Sequence, residues 1–334
     1  MRRTPRRSRT DARLRSSVRQ QQLGNSLASQ QEKNLFRRIA NWKQAFSDQT
    51  TGITTSLESM LWDHAAFRTA IKIGRIANER NRLKDDDSPA TGPNQMLFDL
   101  LARGYWSSLL IGTRRLLDGA SLEGARGVYS LCAVLEDIRA CRPKITRRIY
   151  VEKVRACRYD LQALREENHA ALSAANGRPI WGDPELLRCE LSHSDFDDLS
   201  GVAEADRSET DLIDLAILDA LKRRLFELHP VRVHTDTHLA HAGNVLSRSG
   251  KDLDEFDIRD ARKVLKSLVE ISNLVARWFA GGEVATLAVF QGDQFEGLEA
   301  PLIEPDDVEL LEQNWAAVDR DISSWSLEAQ DLLQ

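Results

Sequence analysis

Residues 97–119 read LFDLLARGYWSSLLIGTRRLLDG. Leu97, Leu101, Tyr105, Leu109 and Leu116 recur four or seven positions apart, the spacing that lines one face of a helix with 3.6 residues per turn. A half-buried strand would instead alternate at every second position and draw on β-branched residues, and this stretch does neither. The spacing predicts a long amphipathic helix that needs a partner for its apolar face.

Such partners recur along the chain. Leu57, Met60, Phe67 and Ile71 form a second stripe, and Val151, Val154, Leu161 and Leu164 mark a third helix. Leu218, Leu221, Leu225 and Leu228 mark a fourth, and Ile258, Ala261, Leu265, Leu268, Val275 and Phe279 complete the set. Gly and Pro clusters fall between the stripes, at "SPATGP", "LDGASLEG", "CRP", "NGRPIWGDP" and "HP", where helices are expected to break. The expected fold is all-α, an antiparallel helical bundle with irregular insertions and terminal extensions. Its expected organisation is a basic tail over 1–31, a helical extension over 32–56, the bundle over 57–281 with an acidic insertion at about 174–209, and an acidic C-terminal extension over 282–334. The short apolar patch "EVATLAVF" in that last segment reads as a strand or an irregular cap, and the chain from Glu304 onward as one or two surface helices.

Composition narrows the class. The chain of 334 residues is 42% hydrophobic and 29% charged, enough to build a sizeable core. No run of about eighteen apolar residues is present, and the basic N-terminus has no apolar stretch behind it, so a soluble, cytoplasmic protein with no membrane partner is expected. Cys132, Cys141, Cys157 and Cys189 have wide, unrepeated spacings, which argues against a zinc ribbon or a disulfide framework and for reduced thiols. The first twenty residues hold eight arginines against one aspartate, while the whole chain carries a net charge of −5, so tail and body differ in kind. The tail is too polar to offset the entropy of ordering itself and reads as disordered, with nucleic-acid phosphates as one available partner.

Chemistry concentrates in residues 229–244, HPVRVHTDTHLAHAGN, which contain four of the seven histidines. Pro230 is expected to end the preceding helix, with Thr235 or Asp236 capping a new one that closes near Gly250. If helix extends back to His234, then His234, His238 and His241 share one face. Three histidines so placed are one candidate metal set, with Asp236 as a carboxylate ligand or a partner that orients one of the rings. The alternative is acid–base chemistry without metal or cofactor: a histidine deprotonates a ribose 2′-hydroxyl, a second group protonates the leaving oxygen, and an arginine, nearest Arg232, holds the phosphate. Arg114 and Arg115 either face this cluster or are solvated, with at least one expected in solvent. "NVLSRSGKD" lacks the glycine and the Ser/Thr of a phosphate loop, "SDFDDLSG" lacks the terminal Glu of a calcium loop, and His64 reads as a satisfied core or interface histidine.

The helical pattern together with "LWDHAAFRTAIKIGRIANE", "YWSSLLIGTRRLLDG" and "DTHLAHAG" resembles the HEPN superfamily, and within it the AbiU-type HEPN-like proteins of bacterial abortive infection. The resemblance spans roughly Leu57 to Ala280 and is sharpest at "THLAHAG". It implies a HEPN-like bundle, usually a homodimer, and in toxin members of defence systems a metal-independent ribonuclease that leaves a cyclic phosphate and a free 5′-hydroxyl. The family motif is an arginine, four to six residues, then a histidine, with a polar residue after the arginine. His241 matches the histidine and Asp236 the polar residue, while the arginine falls on Thr235. Arg188/His193, Arg223 or Arg224/His229 and Arg232/His238 meet the spacing elsewhere; context leaves Arg232/His238, so His238 stands as the alternate base.

Two functions follow from the resemblance. One is an endoribonuclease or toxin with His241, His238, Arg232 and Asp236 as catalytic residues, RNA as substrate, and an antitoxin or other defence component as partner. The other is a bundle that keeps the fold and binds RNA or protein without cleaving. A helix start buried inside the monomer would count against the first.

Overall fold

A computed structural model describes residues 30–82, 94–174, 183–240, 249, 256–282, 286–287, 292–298 and 307–324. The described residues are α-helical with no strand, an isolated bridge between Thr146 and Leu212 apart. The chain divides into two units at Leu287 and Ala288.

The helix read from residues 97–119 is α3, Gln95–Leu116, preceded in the chain by α1 over 30–47 and α2, Ile53–Asn81. Asn94 caps α3 by accepting from the Leu97 N–H at 3.1 Å, satisfying a donor that the first turn leaves without a partner. Its buried face is Tyr105, Leu109, Leu110, Thr113 and Leu116, whereas Leu97 and Leu101 at its start are exposed. α2 and α3 run antiparallel: the Ser108 hydroxyl donates to Asp63 at 2.6 Å, and Phe67 stacks on Tyr105 at 4.4 Å and meets Phe98 at 6.2 Å. Gly112 allows the close approach at the other end, since a Cβ there would lie 2.3 Å from the Met60 sulfur.

The N-terminal helix, expected as an extension, contributes to the same core. Leu35, Ile39, Trp42, Ala45 and Phe46 are buried, and the Trp42 indole donates to Asp137 at 2.6 Å from within an edge-to-face contact with Phe279. Asp137 lies on α4, Leu131–Cys141, and also receives Arg38 at 2.5 Å.

One expectation needs correction. Val151, Val154, Leu161 and Leu164 do not share a helix: a π turn ends at Val154, Ala156 adopts a left-handed φ of 53°, and α5 begins afresh as Leu161–Ala174. The break is held by the Cys157 N–H donating back to Val151 at 2.9 Å, so the apolar periodicity continues across it by coincidence of spacing. The acidic stretch expected as an insertion contains α6, Pro184–Ser200, capped by Asp183 and closed by Gly201 at φ 70°. One of its acids, Asp197, accepts at 2.7 Å from Arg147, fully buried, which also donates at 2.8 Å to Asp211 beyond the helix.

α7, Leu215–Phe226, buries Leu218, Leu221 and Leu225 as expected. After it come α8, His229–Thr235, and α9, Ile258–Val275, which opens with a reciprocal cap between Asp257 and Asp260 and buries Ala261, Leu265, Leu268 and Val275. The second unit contains α10, Val308–Ser324, with Leu311, Trp315, Val318 and Ile322 exposed. Most of "EVATLAVF" and all of the basic tail before residue 30 lie outside the described residues. No helix among those described is long and apolar enough to cross a membrane.

Candidate functional site

Pro230 occupies the first turn of α8, and helix continues past Thr235 into a wider π turn, Asp236–Ala240. The expected break therefore falls one turn too late. A proline in the first turn surrenders an N–H that has no helical partner anyway, and its fixed φ suits a helix start. Thr235 and Asp236 are consequently interior to the helix, not its caps. Thr235 is fully buried; its hydroxyl donates to Val231 at 2.7 Å and lies 3.3 Å from the Leu110 carbonyl of α3.

Continuous helix brings Arg232 and Asp236 to one face, four residues apart, with Arg232 Nε 3.7 Å from Asp236 Oδ2. The other carboxylate oxygen accepts from Arg114 Nε of α3 at 2.6 Å. Arg232 is also tied to α3, donating to the Leu117 carbonyl at 3.2 Å. Leu110 and Arg114 of α3, with Leu117 just past its end, thus form the strip against which α8 lies. One carboxylate between two guanidiniums leaves the cluster net positive, and its charged side chains are about one-third exposed. The Asp236 hydrogen bond holds the Arg114 guanidinium charged more firmly than an ordinary arginine. The helix start is buried along Val231 and Thr235 and open along Arg232 and Asp236, so it is not enclosed in the monomer.

His234 and His238 follow on the neighbouring face, their rings stacked at 4.4 Å with planes 18° apart. Nearly parallel stacked rings keep their nitrogen lone pairs in separate, nearly parallel planes, which do not meet at a nearby common point. Among the described residues no set of three His, Cys, Asp or Glu side chains is placed to hold a metal ion. His241, the motif histidine and the third member of the metal alternative, lies outside the described residues.

The other spacing matches scatter. His193 is buried on α6 with its Nε2 donating to the Tyr159 carbonyl at 3.0 Å, and His229 stacks on Phe226 at 5.1 Å. His64 is hydrogen-bonded through Nδ1 to the Tyr105 hydroxyl at 2.7 Å. The four cysteines are free thiols, and burial pushes Cys132, Cys141 and Cys189 up to about 11, far from a reactive thiolate.

Arg114 resolves the alternatives the sequence left for it: Arg114 faces the cluster and Arg115 is exposed. Both border a cleft of about 510 Å³ that also includes Thr51, Asp118 and Tyr129. The only sequence signal for Arg114 is its position, one turn after Leu110 and nearly one before Leu117 on the same face.

A family model described as AbiU2, of the HEPN type, matches residues 43–264. No curated protein and no solved structure matches the chain.

Proposed function

The chain belongs to the AbiU2 family of HEPN domains and is an abortive-infection HEPN-type protein, and from that premise we propose that it acts on RNA as a metal-independent endoribonuclease. The observation that carries the reading is the Arg114–Asp236–Arg232 cluster, in which α3 supplies an arginine that the motif lacks at Thr235. The two guanidiniums bind the non-bridging oxygens of a scissile phosphodiester, and Asp236 fixes their orientation. A neutral histidine, His241 by the motif or His238 by its place beside the cluster, removes the proton from a ribose 2′-hydroxyl. The 2′-oxygen attacks phosphorus and the bond to the 5′-oxygen breaks. That oxygen takes a proton from a second imidazole, leaving a 2′,3′-cyclic phosphate and a free 5′-hydroxyl. The arginines offset the charge that grows on the phosphate at the transition state. A second copy facing the open edge of α8 would bring a further pair of cations, which is the arrangement expected of a homodimer.

A second reading is RNA binding without cleavage. It is favoured by the same cluster seen differently: Asp236 already engages both arginines, so a phosphate must compete for them. The deciding experiment is RNA cleavage by wild type, His241→Ala, His238→Ala and Arg114→Ala in EDTA, with product ends identified. Cleavage that survives chelation, yields cyclic phosphate ends and is lost in one histidine variant and in Arg114→Ala establishes the nuclease. RNA retained by wild type without cleavage establishes the binding module, and activity abolished by EDTA returns the three-histidine metal set.

A further inference from the structure

α2 and α9 meet away from the Asp236 cluster along a second cleft, of about 240 Å³. Leu61, Leu265 and Val269 form its floor, and Arg68, Arg262 and Lys266 stand around it with His64. Among the described residues no carboxylate lines it. Basic residues on a solvated helix face are ordinarily matched by acids a turn away, and α9 itself does this elsewhere: Lys263 pairs with Asp260 at 2.8 Å. Lys266 has only the longer 3.6 Å approach to Glu270. Arg68 and Arg262 have no ion pair or hydrogen bond among the described residues, so two guanidiniums face one cleft with their donors available.

His64 adds a neutral donor. Burial, with Arg68 and Arg262 nearby, lowers its affinity for a proton, so the ring is uncharged near neutral pH. Burial keeps the Tyr105 phenol protonated, able to donate to His64 Nδ1. The proton of the ring is then on Nε2, which is buried without a hydrogen-bond partner among the described residues.

We propose that this cleft is a second anion site, which holds the phosphate of a single nucleotide between Arg68, Arg262 and Lys266 while the base lies on the floor of Leu61, Leu265 and Val269. A purely inorganic anion would leave the apolar floor unused, and an apolar ligand would leave the guanidiniums unmatched; a nucleotide uses both. Resting on the RNA reading above, the nucleotide belongs to a single strand that spans from this cleft to the Asp236 cluster. A free mononucleotide presents the same chemistry and is the other source.

The test compares wild type with the double variant Arg68→Gln/Arg262→Gln. Both side chains are exposed, so the fold is expected to persist, checked by an unchanged thermal midpoint. Binding of a short fluorescent single-stranded RNA is followed by anisotropy across a salt series, and binding of adenosine monophosphate by calorimetry. If the strand occupies the cleft, the variant binds RNA about tenfold more weakly, and the slope of log affinity against log salt shrinks by about 0.7, because one phosphate fewer is neutralised. If wild type binds the mononucleotide but no RNA, and the variant loses it, the site stands with a free nucleotide as ligand while the RNA reading fails. A variant that binds both ligands like wild type with an unchanged salt slope overturns the site and leaves the RNA reading intact, since Arg114→Ala tests that cluster separately. Wild type that binds neither ligand overturns the site too, and the cleavage assay then decides the RNA reading alone.

Discussion

Arg147 and Arg114 each meet an aspartate at close range, yet they stand in opposite environments. Arg147 is fully buried, donates to Asp197, Asp211, the His193 carbonyl and Ser200, and lies over the Phe196 ring at 4.9 Å. Four of its five N–H donors are used inside the protein. Arg114 is one-third exposed, makes one hydrogen bond, to Asp236, and borders an open cleft. The first arrangement fastens α6 and the turn at Asp211 to one buried side chain; the second leaves a guanidinium oriented but available. The same pair of residue types is architecture in one place and a candidate binding site in the other, and the discriminant is how many donors remain.

The contrast is most vulnerable at the buried end. Arg147→Ala strands the Asp211 carboxylate and leaves Asp197 with Arg207 as its remaining guanidinium, and removing one partner of a buried ion pair costs about 3–5 kcal/mol. Urea unfolding should show that loss as a midpoint shift; a variant as stable as wild type would make the network ornamental. Arg114→Ala should behave in the reverse manner. Its pair is partly solvated, so stability should change by no more than about 1 kcal/mol, whereas RNA cleavage should fall by about 10²–10³-fold, the loss typical when one donor to a developing charge is removed. A folded Arg114→Ala protein that cleaves normally would move the phosphate-holding role to Arg232 or to another group. Asp236→Asn isolates orientation from charge: it keeps the size of the side chain, removes the charge that orients both arginines, and should weaken cleavage with little effect on stability.

Much of this fold was legible from periodicity because helix faces are local. α7 and α9 bury most of the stripes their spacing marks, and α3 buries its stripe from Tyr105 onward while Leu97 and Leu101 stay exposed. The break at Ala156 was not legible, because a left-handed residue there is imposed by tertiary bonds, among them Arg155 donating to the Arg277 carbonyl more than a hundred residues away. Pro230 misled for another reason: a proline is equally at home just after one helix and in the first turn of the next, and only the turn at Glu227 and Leu228 decides which. Thr235 reads as a cap from its residue type, but the same hydroxyl serves inside a helix when the Val231 carbonyl accepts it. The Arg114–Asp236 pair joins residues 122 apart, beyond any local motif. A motif search finds the histidine and the polar residue, whereas the arginine we propose in their service comes from another helix.

The smallest effect expected is the pH dependence of stability, and it separates the two arginine clusters again. His193, whose carbonyl accepts from Arg147, is buried; burial lowers its proton affinity below the ordinary value of 6.5, and Arg207 and Arg147 push the same way against the Tyr159 carbonyl, which holds the ring N–H. His64 is lowered likewise by burial, Arg68 and Arg262. Both groups therefore bind a proton more readily in the unfolded chain than in the folded one. Their contribution to stability is complete above about pH 6.5 and is lost as pH falls through the lowered folded values, since there the unfolded state takes up protons first. Urea midpoints measured at about pH 7.5 and about pH 5.5 should decline towards acid, and His193→Gln should flatten the decline by removing its share. A flat wild-type profile would mean that neither ring is held neutral. A decline untouched by His193→Gln would assign the sensitivity to His64 and leave the surroundings of Arg147 indifferent to pH, which would weaken the contrast between a closed network and an open one.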